Sequence, residues 1–128
     1  MFDHFGMAVH DVERSRAFYE AALAPLGLSC LASLDARATG DYPAHGFGAR
    51  EALFWIYGAD AVPDVGVHFA FRAATPAAVD AFHAAALAQG GTDNGAPGER
   101  PHYGAPYYAA FVRDPDGNNV EAVYRDPA

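Results

Sequence analysis

The sequence predicts an α+β fold built from two copies of one β-α-β-β-β module, arranged as a curved mixed sheet with helices on its outer face. The first observation is an internal repeat, in which residues 4–27 match residues 68–91 with 9 identities in 24 positions. The second is that a strand's His-Phe pair and a helix's apolar face recur in the same register. We therefore expect a single domain over residues 1–128, with one module over about 1–60 and the other over about 61–128.

The elements of the first module follow from its hydrophobic pattern. Apolar and small residues alternate over residues 2–9, which predicts a half-buried strand. Asp11 is a good N-cap for the helix that follows, and Pro25 and Gly27 end that helix. Two or three short strands are then expected, over residues 28–34, 45–50 and 52–58.

The second module repeats this order. A strand is expected over residues 66–73, and Thr75 followed by Pro76 marks the start of a helix. Residues 91–106 are rich in Gly and Pro and predict a loop with room for a short strand. Two final strands, at 107–113 and 118–125, are joined by the turn sequence Asp-Pro-Asp-Gly and form a hairpin.

Composition excludes several classes of function. The net charge is −8 and the chain has no Lys, which argues against a nucleic-acid partner and excludes lysine chemistry. Cys30 is the single cysteine, so no disulfide forms within the chain and a cytoplasmic protein is expected. No apolar stretch approaches the ~18 residues of a membrane span, so no membrane partner is expected.

Three residues are candidate metal ligands. Strand alternation places His4, His68 and Glu121 opposite the apolar residues that pack on the helices. Two imidazoles and one carboxylate suit one divalent ion, with Fe, Zn, Mn and Ni not distinguished. A lone histidine on a strand is more often structural than a ligand, but two at repeat-equivalent positions together with an acid favour a metal site.

The same residues carry a resemblance to a known family. Four segments, residues 3–5, 9–11, 15–19 and 111–121, resemble the vicinal oxygen chelate superfamily, which contains glyoxalase I, bleomycin-resistance proteins and extradiol dioxygenases. The resemblance implies paired β-α-β-β-β modules, usually dimerised, with a divalent metal in the cup of the sheet. It also implies that His4, His68 and Glu121 occupy ligand positions, supplied by one chain or by two.

Two departures from the family pattern leave the chemistry open. Glyoxalase I-type enzymes carry a fourth ligand on the last strand of the first half, where this chain has Trp55 nearest the expected place. Extradiol dioxygenases use a tyrosine that falls near Phe111 here, a residue without a hydroxyl. The general base is unassigned, and Tyr107, Tyr103 and His102 are the candidates for a catalytic group.

A substrate pocket is expected around the metal. Phe54, Trp55, Tyr107 and Phe111 could stack on a planar substrate, although strand aromatics belong to the core more often than to a ligand site. Arg72 shares the predicted face of the second histidine and could pair with an anionic substrate, with solvation at the surface as the alternative.

These expectations define one main hypothesis and two alternatives. The main one is a homodimeric, metal-dependent enzyme of the lyase/isomerase or dioxygenase type, which binds a small substrate through adjacent oxygens. The first alternative is a bleomycin-resistance-type protein that sequesters an aromatic ligand without chemistry. The second is a member without catalytic activity that has a role in assembly.

Overall fold

The computed structural model describes residues 1–40, 42–63 and 66–125, so residues 126–128 of the predicted domain lie outside the described part. The strands of the first module are β1 (Phe5–Val9), β2 (Ser29–Leu34), β3 (Ala44–Gly48) and β4 (Phe54–Gly58). Those of the second are β5 (His68–Arg72), β6 (Thr92–Glu99), β7 (Tyr107–Arg113) and β8 (Asn119–Arg125). The predicted α+β fold of two β-α-β-β-β modules is confirmed.

Each module forms its own four-stranded mixed sheet, so the strands make two sheets rather than one continuous curved sheet. The strand orders are β1-β4-β3-β2 and β5-β8-β7-β6. In both sheets the first strand of the module runs parallel to the last, and the other neighbours are antiparallel. The two modules therefore have the same topology, as the internal repeat predicts.

The helices begin at the predicted caps. They are α1 (Val12–Leu23), the short α2 (Ala36–Thr39) and α3 (Pro76–Ala88), with 3-10 turns at Ala24–Leu26 and Pro101–Tyr103. The Asp11 carboxylate accepts the backbone N–H of Arg14 at 3.1 Å, and the Thr75 hydroxyl accepts that of Ala78 at 3.1 Å. Within the described residues, none of these helices combines the length and the apolar character that a membrane crossing needs.

The two sheets share one hydrophobic core. We call the side of each sheet that packs on a helix its helix face, and the other side its open face. Phe69 on β5 lies 5.4 Å from Phe5 and 5.5 Å from Phe54, measured between ring centroids, and Phe71 lies 5.4 Å from Phe54. Helix α1 also packs against α3. Because the helix faces meet in this core, each open face lies on the side of its own sheet away from the core.

The turn between β7 and β8 is organised by one buried carboxylate. Asp114 is 5% exposed, and its Oδ1 accepts the backbone N–H groups of Asp116 and Asn118, both at 2.9 Å. Its Oδ2 accepts the side-chain amide of Asn118 at 2.9 Å. The backbone of Gly117 closes the turn on the Asp114 carbonyl at 2.9 Å, as the turn sequence predicts. We call residues 114–118 the Asp114 turn.

This turn also joins the second module to the first. The hydroxyl of Tyr19, a fully buried residue on α1, donates to Asp114 Oδ2 at 2.5 Å. Burial raises the pKa of Tyr19 well above its ordinary value, and the negative charge of Asp114 raises it further, so Tyr19 stays protonated and donates. Asp116 adds a contact with the backbone N–H of His10 at 3.0 Å. The turn therefore fixes how the two modules pack.

The segment 91–106, predicted as a loop with room for a short strand, contains the eight-residue strand β6, which is longer than that prediction allowed. This strand lies at the edge of its sheet, where the missing N–H of Pro97 costs no ladder hydrogen bond. Its pairing with β7 is interrupted around Gly95, which has φ +152°. Arg100 donates to the carbonyls of Ala96 at 2.8 Å and Gly98 at 2.9 Å, so a side chain supplies the hydrogen bonds that irregular pairing loses.

We predict that Tyr19→Phe lowers the free energy of unfolding by about 1–3 kcal/mol, because it leaves a buried carboxylate oxygen short of a donor. Urea denaturation at neutral pH measures the change. Tyr124→Phe is the matched control, because Tyr124 is half-buried against the same core and has no hydroxyl hydrogen bond among the described residues. Equal stability of the two variants would show that the Tyr19–Asp114 bond does not hold the modules together.

Candidate active site

Two predicted ligands, His68 and Glu121, meet on the open face of the second sheet. Glu121 lies in the middle of β8, opposite Ala70 on β5, and is 3% exposed. His68 Nε2 lies 3.2 Å from Glu121 Oε1, and His68 Nδ1 lies 3.0 Å from the backbone carbonyl of Asn119. Since a carbonyl oxygen only accepts, Nδ1 carries the proton. In the neutral ring, the Nε2 lone pair then points at a carboxylate oxygen.

Tyr107 fixes the other oxygen of this carboxylate. Its hydroxyl donates to Glu121 Oε2 at 2.5 Å. Burial, followed by the hydrogen bond to Glu121, raises the pKa of Tyr107 to about 12. At neutral pH Tyr107 is therefore a hydrogen-bond donor that orients the Glu121 carboxylate. The other oxygen, Oε1, faces His68.

Aromatic rings and arginines surround the pair. The Phe111 ring stacks on the His68 imidazole with centroids 6.1 Å apart and an angle of 28° between the planes. The Arg100 guanidinium carbon lies 5.5 Å from the Phe111 ring centroid, and that of Arg125 lies 5.3 Å from the Tyr107 centroid. These contacts restrict the movement of the imidazole and phenol rings.

The remaining catalytic candidates lie further along the same surface. Measured between ring centroids, Tyr103 lies 5.3 Å from Tyr107 and 4.1 Å from His102. Tyr103 is 53% exposed. Among the described residues, Tyr107 is the one of the three candidates that contacts a candidate ligand, and the other two extend the surface outward.

His4 lies apart from this pair. Its side chain is 61% exposed, and Nδ1 contacts the Asp3 carboxylate at 2.7 Å. It borders a depression of about 630 Å³ on the first sheet, together with Gly6, Trp55 and Tyr57. Over residues 1–40, 42–63 and 66–125, no three His, Cys, Asp or Glu side chains come together closely enough to hold a metal ion. The structure thus brings together two of the three predicted ligands.

The strand registers show what replaces the fourth ligand. Gly6 pairs with Trp55 in the first sheet, as Ala70 pairs with Glu121 in the second, so Trp55 occupies the position equivalent to Glu121. Its indole N–H donates to the Ala52 carbonyl at 3.1 Å. A Cβ on Gly46 would lie 2.8 Å from the Trp55 ring, so a glycine is needed where the indole crosses the neighbouring strand. The first sheet therefore contributes an aromatic surface there and no carboxylate.

The expected pocket residues divide between different surfaces. Trp55 lies on the open face of the first sheet, whereas Tyr107, Phe111 and Arg72 lie on the open face of the second. Phe54 is 6% exposed on the helix face, within the aromatic core, so it does not share a face with Trp55. It borders an apolar cavity of about 880 Å³ beside β1 and β5.

Arg125 is a residue of the second open face that the sequence pattern did not identify. It follows Glu121 by four residues, and alternation along β8 was sufficient to place it on the same face. His45 lies instead on the helix face of the first sheet, where it pairs with Ile56 and is 4% exposed. Its Nδ1 is 2.9 Å from Ser33 Oγ and its Nε2 is 3.0 Å from Glu13 Oε1, so it belongs to the packing of α1 on the sheet.

The topology and the open-face residues define a class of protein in which paired β-α-β-β-β modules present polar ligand-type side chains on their sheets. A family model confirms the class. The model of the Glyoxalase/Bleomycin resistance protein/Dioxygenase superfamily matches residues 1–122, and the chain belongs to this superfamily. The resemblance inferred from the sequence motifs is therefore confirmed.

Solved structures are similar over nearly the whole chain. A glyoxalase/bleomycin resistance protein from Albidiferax ferrireducens T118 is 32% identical, with a TM-score of 0.78, and covers 98% of this chain and 99% of its own. A lactoylglutathione lyase from Agrobacterium tumefaciens is 21% identical over 97% of this chain and 92% of its own, with a TM-score of 0.64. A glyoxalase I mutant from Zea mays is 24% identical with a TM-score of 0.73, and this chain spans 45% of it. A search of curated sequences gave no match.

We predict that Tyr107 ionises only near pH 12 in the folded protein, because burial and the adjacent carboxylate both favour its neutral form. Ultraviolet absorbance of tyrosinate measures this in a pH titration. Tyr107→Phe is expected to remove a late step of the titration. Loss of an early step in Tyr107→Phe would mean that its hydroxyl does not bind Glu121.

Proposed function

We propose that this protein binds a divalent metal ion at a site shared by two copies of the chain and uses it to bind a small substrate through adjacent oxygens. The observation that supports the proposal is the pairing of His68 Nε2 with Glu121 Oε1 at 3.2 Å. Because Nδ1 faces a backbone carbonyl, both facing atoms are acceptors in the neutral imidazole form. Two acceptors at this distance need a cation between them, either a proton or a metal ion.

The donors present suit a metal. Imidazole and carboxylate are ligands for Zn, Fe, Mn and Ni, and members of this superfamily generally use a divalent metal. The groups behind the ligands are also of the usual kind, because a backbone carbonyl fixes the His68 tautomer and a tyrosine holds Glu121. His68 and Glu121 would hold the ion from the second module, and His4 is the third donor.

We infer that His4 comes from a second copy, because within the described residues of one chain it does not come together with His68 and Glu121. The edges of β1 and β5 have no strand partner among the described residues. Exposed apolar side chains lie near these edges: Phe2 is 87%, Leu53 47% and Val67 43% exposed. A twofold dimer would place the first sheet of one copy against the second sheet of the other, twice. Each of two sites then takes His4 from one chain and His68 with Glu121 from the other.

The protein residues around this site would mainly position the metal ligands and the substrate. When bound, the ion supplies Lewis-acid polarisation of the substrate oxygens. Tyr107 keeps its proton at neutral pH and holds the Glu121 carboxylate in one orientation. Phe111 holds the His68 ring by stacking. Trp55 presents an apolar ring where a fourth protein donor would stand, which leaves coordination positions for the substrate oxygens.

This arrangement favours a reaction that does not need a carboxylate base at the position of Trp55. The first sheet offers none there, and Tyr107 is a poor base because its pKa is about 12. We therefore favour a metal-assisted reaction of the lyase or dioxygenase type, in which the bound oxygens themselves carry the developing charge. A base from His102 or Tyr103 is the remaining route to an isomerase.

A sequestering protein is the second candidate. The depression on the first sheet, with Trp55 and Tyr57 on its wall, has the size and the aromatic lining of a small-molecule site. A protein that only sequesters a ligand does not need His68 set against the buried Glu121 carboxylate. A cytoplasmic location belongs to both proposals, since the single cysteine, Cys30, is a free thiol.

We predict that protein purified without a histidine tag carries about one divalent ion per chain, and that His68→Ala abolishes this binding with the fold intact. Elemental analysis measures the ion, and circular dichroism the fold. His83→Ala is the matched control, because His83 also contacts a carboxylate, Asp93 at 2.9 Å, but does so on the helix face. Metal retained in His68→Ala, or lost equally in His83→Ala, would rule out the site.

A further inference from the structure

The arginines of this acidic chain are concentrated around the proposed site. The net charge is −8, and all eight basic residues are Arg. Strand pairing places Arg72, Arg113 and Arg125 on the open face of the second sheet, and the Arg100 guanidinium lies over Phe111 on that face. Among the described strand residues of this face, Glu121 is the acidic one. Half of the positive charge of the chain therefore surrounds one carboxylate.

Two of these arginines are already bound by the protein. Arg100 donates to the carbonyls of Ala96 and Gly98, and Arg113 donates to the carbonyl of Gly117 at 3.1 Å. Within the described part of the chain, Arg72 and Arg125 have neither a hydrogen bond nor an ion pair, and Arg125 makes only its contact with the Tyr107 ring. These two guanidiniums are available to a ligand.

Arg72 and Arg125 lie at the same end of the site. Strands β5 and β8 are parallel, and both arginines are the last residues of their strands. Arg72 pairs with Val123, so Arg125 is its diagonal neighbour on the same face, at a separation of about 7–8 Å between backbones. Two neighbouring like charges on one face are mutually repulsive, and an anion between them removes the repulsion.

We propose that the substrate carries a carboxylate in addition to its two chelating oxygens, and that Arg72 and Arg125 bind this carboxylate. The inference rests on the proposed metal site, because it assigns one end of a small molecule to the metal ion and the other end to the two arginines. The chelating oxygens lie at His68 and Glu121, and the anionic end lies toward the carboxyl ends of β5 and β8. The Tyr107 ring separates Arg125 from Glu121, so the two ends are one aromatic ring apart.

A matched pair of probes tests this assignment. Catechol and 3,4-dihydroxybenzoate have the same two adjacent oxygens and differ by one carboxylate. Calorimetric titration of the metal-loaded protein is expected to give about tenfold tighter binding of the benzoate, which is the order of one exposed charge-assisted contact. Arg125→Gln and Arg72→Gln are each expected to remove most of this preference, which is measured as the ratio of the two affinities within each variant so that a change common to both probes cancels. Arg37→Gln on α2 is the control and is expected to keep the preference.

The outcomes separate this inference from the metal site. Metal content is measured on every sample and is expected to be the same in Arg125→Gln and in the unchanged protein. Equal affinity for the two probes, or a preference that survives both substitutions, overturns the carboxylate assignment while leaving the metal site standing. Weaker dimerisation of Arg125→Gln with an unchanged preference overturns it too, because the arginine then binds the partner. If no sample holds metal, the proposed function fails, and the same probe pair on the metal-free protein still decides the role of the arginines.

Discussion

The hydrogen bond from Tyr19 to the buried carboxylate of Asp114 determines how the two modules sit against each other. Asp114 belongs to the second module and also organises its own turn, whereas Tyr19 belongs to the helix of the first module. Removing either partner leaves a buried polar group unsatisfied, so this contact selects one packing over others of similar apolar area. With the modules held in this way, the helix faces share a core, and each open face lies on the side of its sheet away from that core.

The arrangement of the site follows from this packing. The second sheet carries the half-exposed His68 beside the buried Glu121, and their facing atoms are both acceptors when the imidazole is neutral. A tyrosine holds Glu121 and a backbone carbonyl holds His68. The first sheet carries His4 and an aromatic wall around Trp55. Among the described residues, neither half by itself has enough donors for a metal ion. In the arrangement we propose, the site is completed by association with another copy.

The sequence was sufficient for much of the fold, because the repeat and the helix caps are local signals. Asp11, Thr75 and the β7–β8 turn act as their residue types predict. Strand β6 was hidden by its Gly and Pro content, which an edge strand tolerates and which Arg100 offsets through side-chain hydrogen bonds. Alternation placed His68 and Glu121 on one face, but it could not show that His4 lies apart from them. The position of His4 depends on how the two modules pack, and this packing uses contacts such as that between Tyr19 and Asp114, which are 95 residues apart in the sequence.

Subunit complementation tests the shared site most directly. His4→Ala and His68→Ala chains, each with a different affinity tag other than polyhistidine, are co-expressed, and the mixed dimer is purified by both tags. In a shared arrangement one of the two sites in the mixed dimer keeps His4 from one chain and His68 with Glu121 from the other. We therefore predict about one divalent ion per mixed dimer and none in either parent homodimer. A mixed dimer without metal, beside unchanged protein that binds it, would contradict the account, because each site would then belong to a single chain.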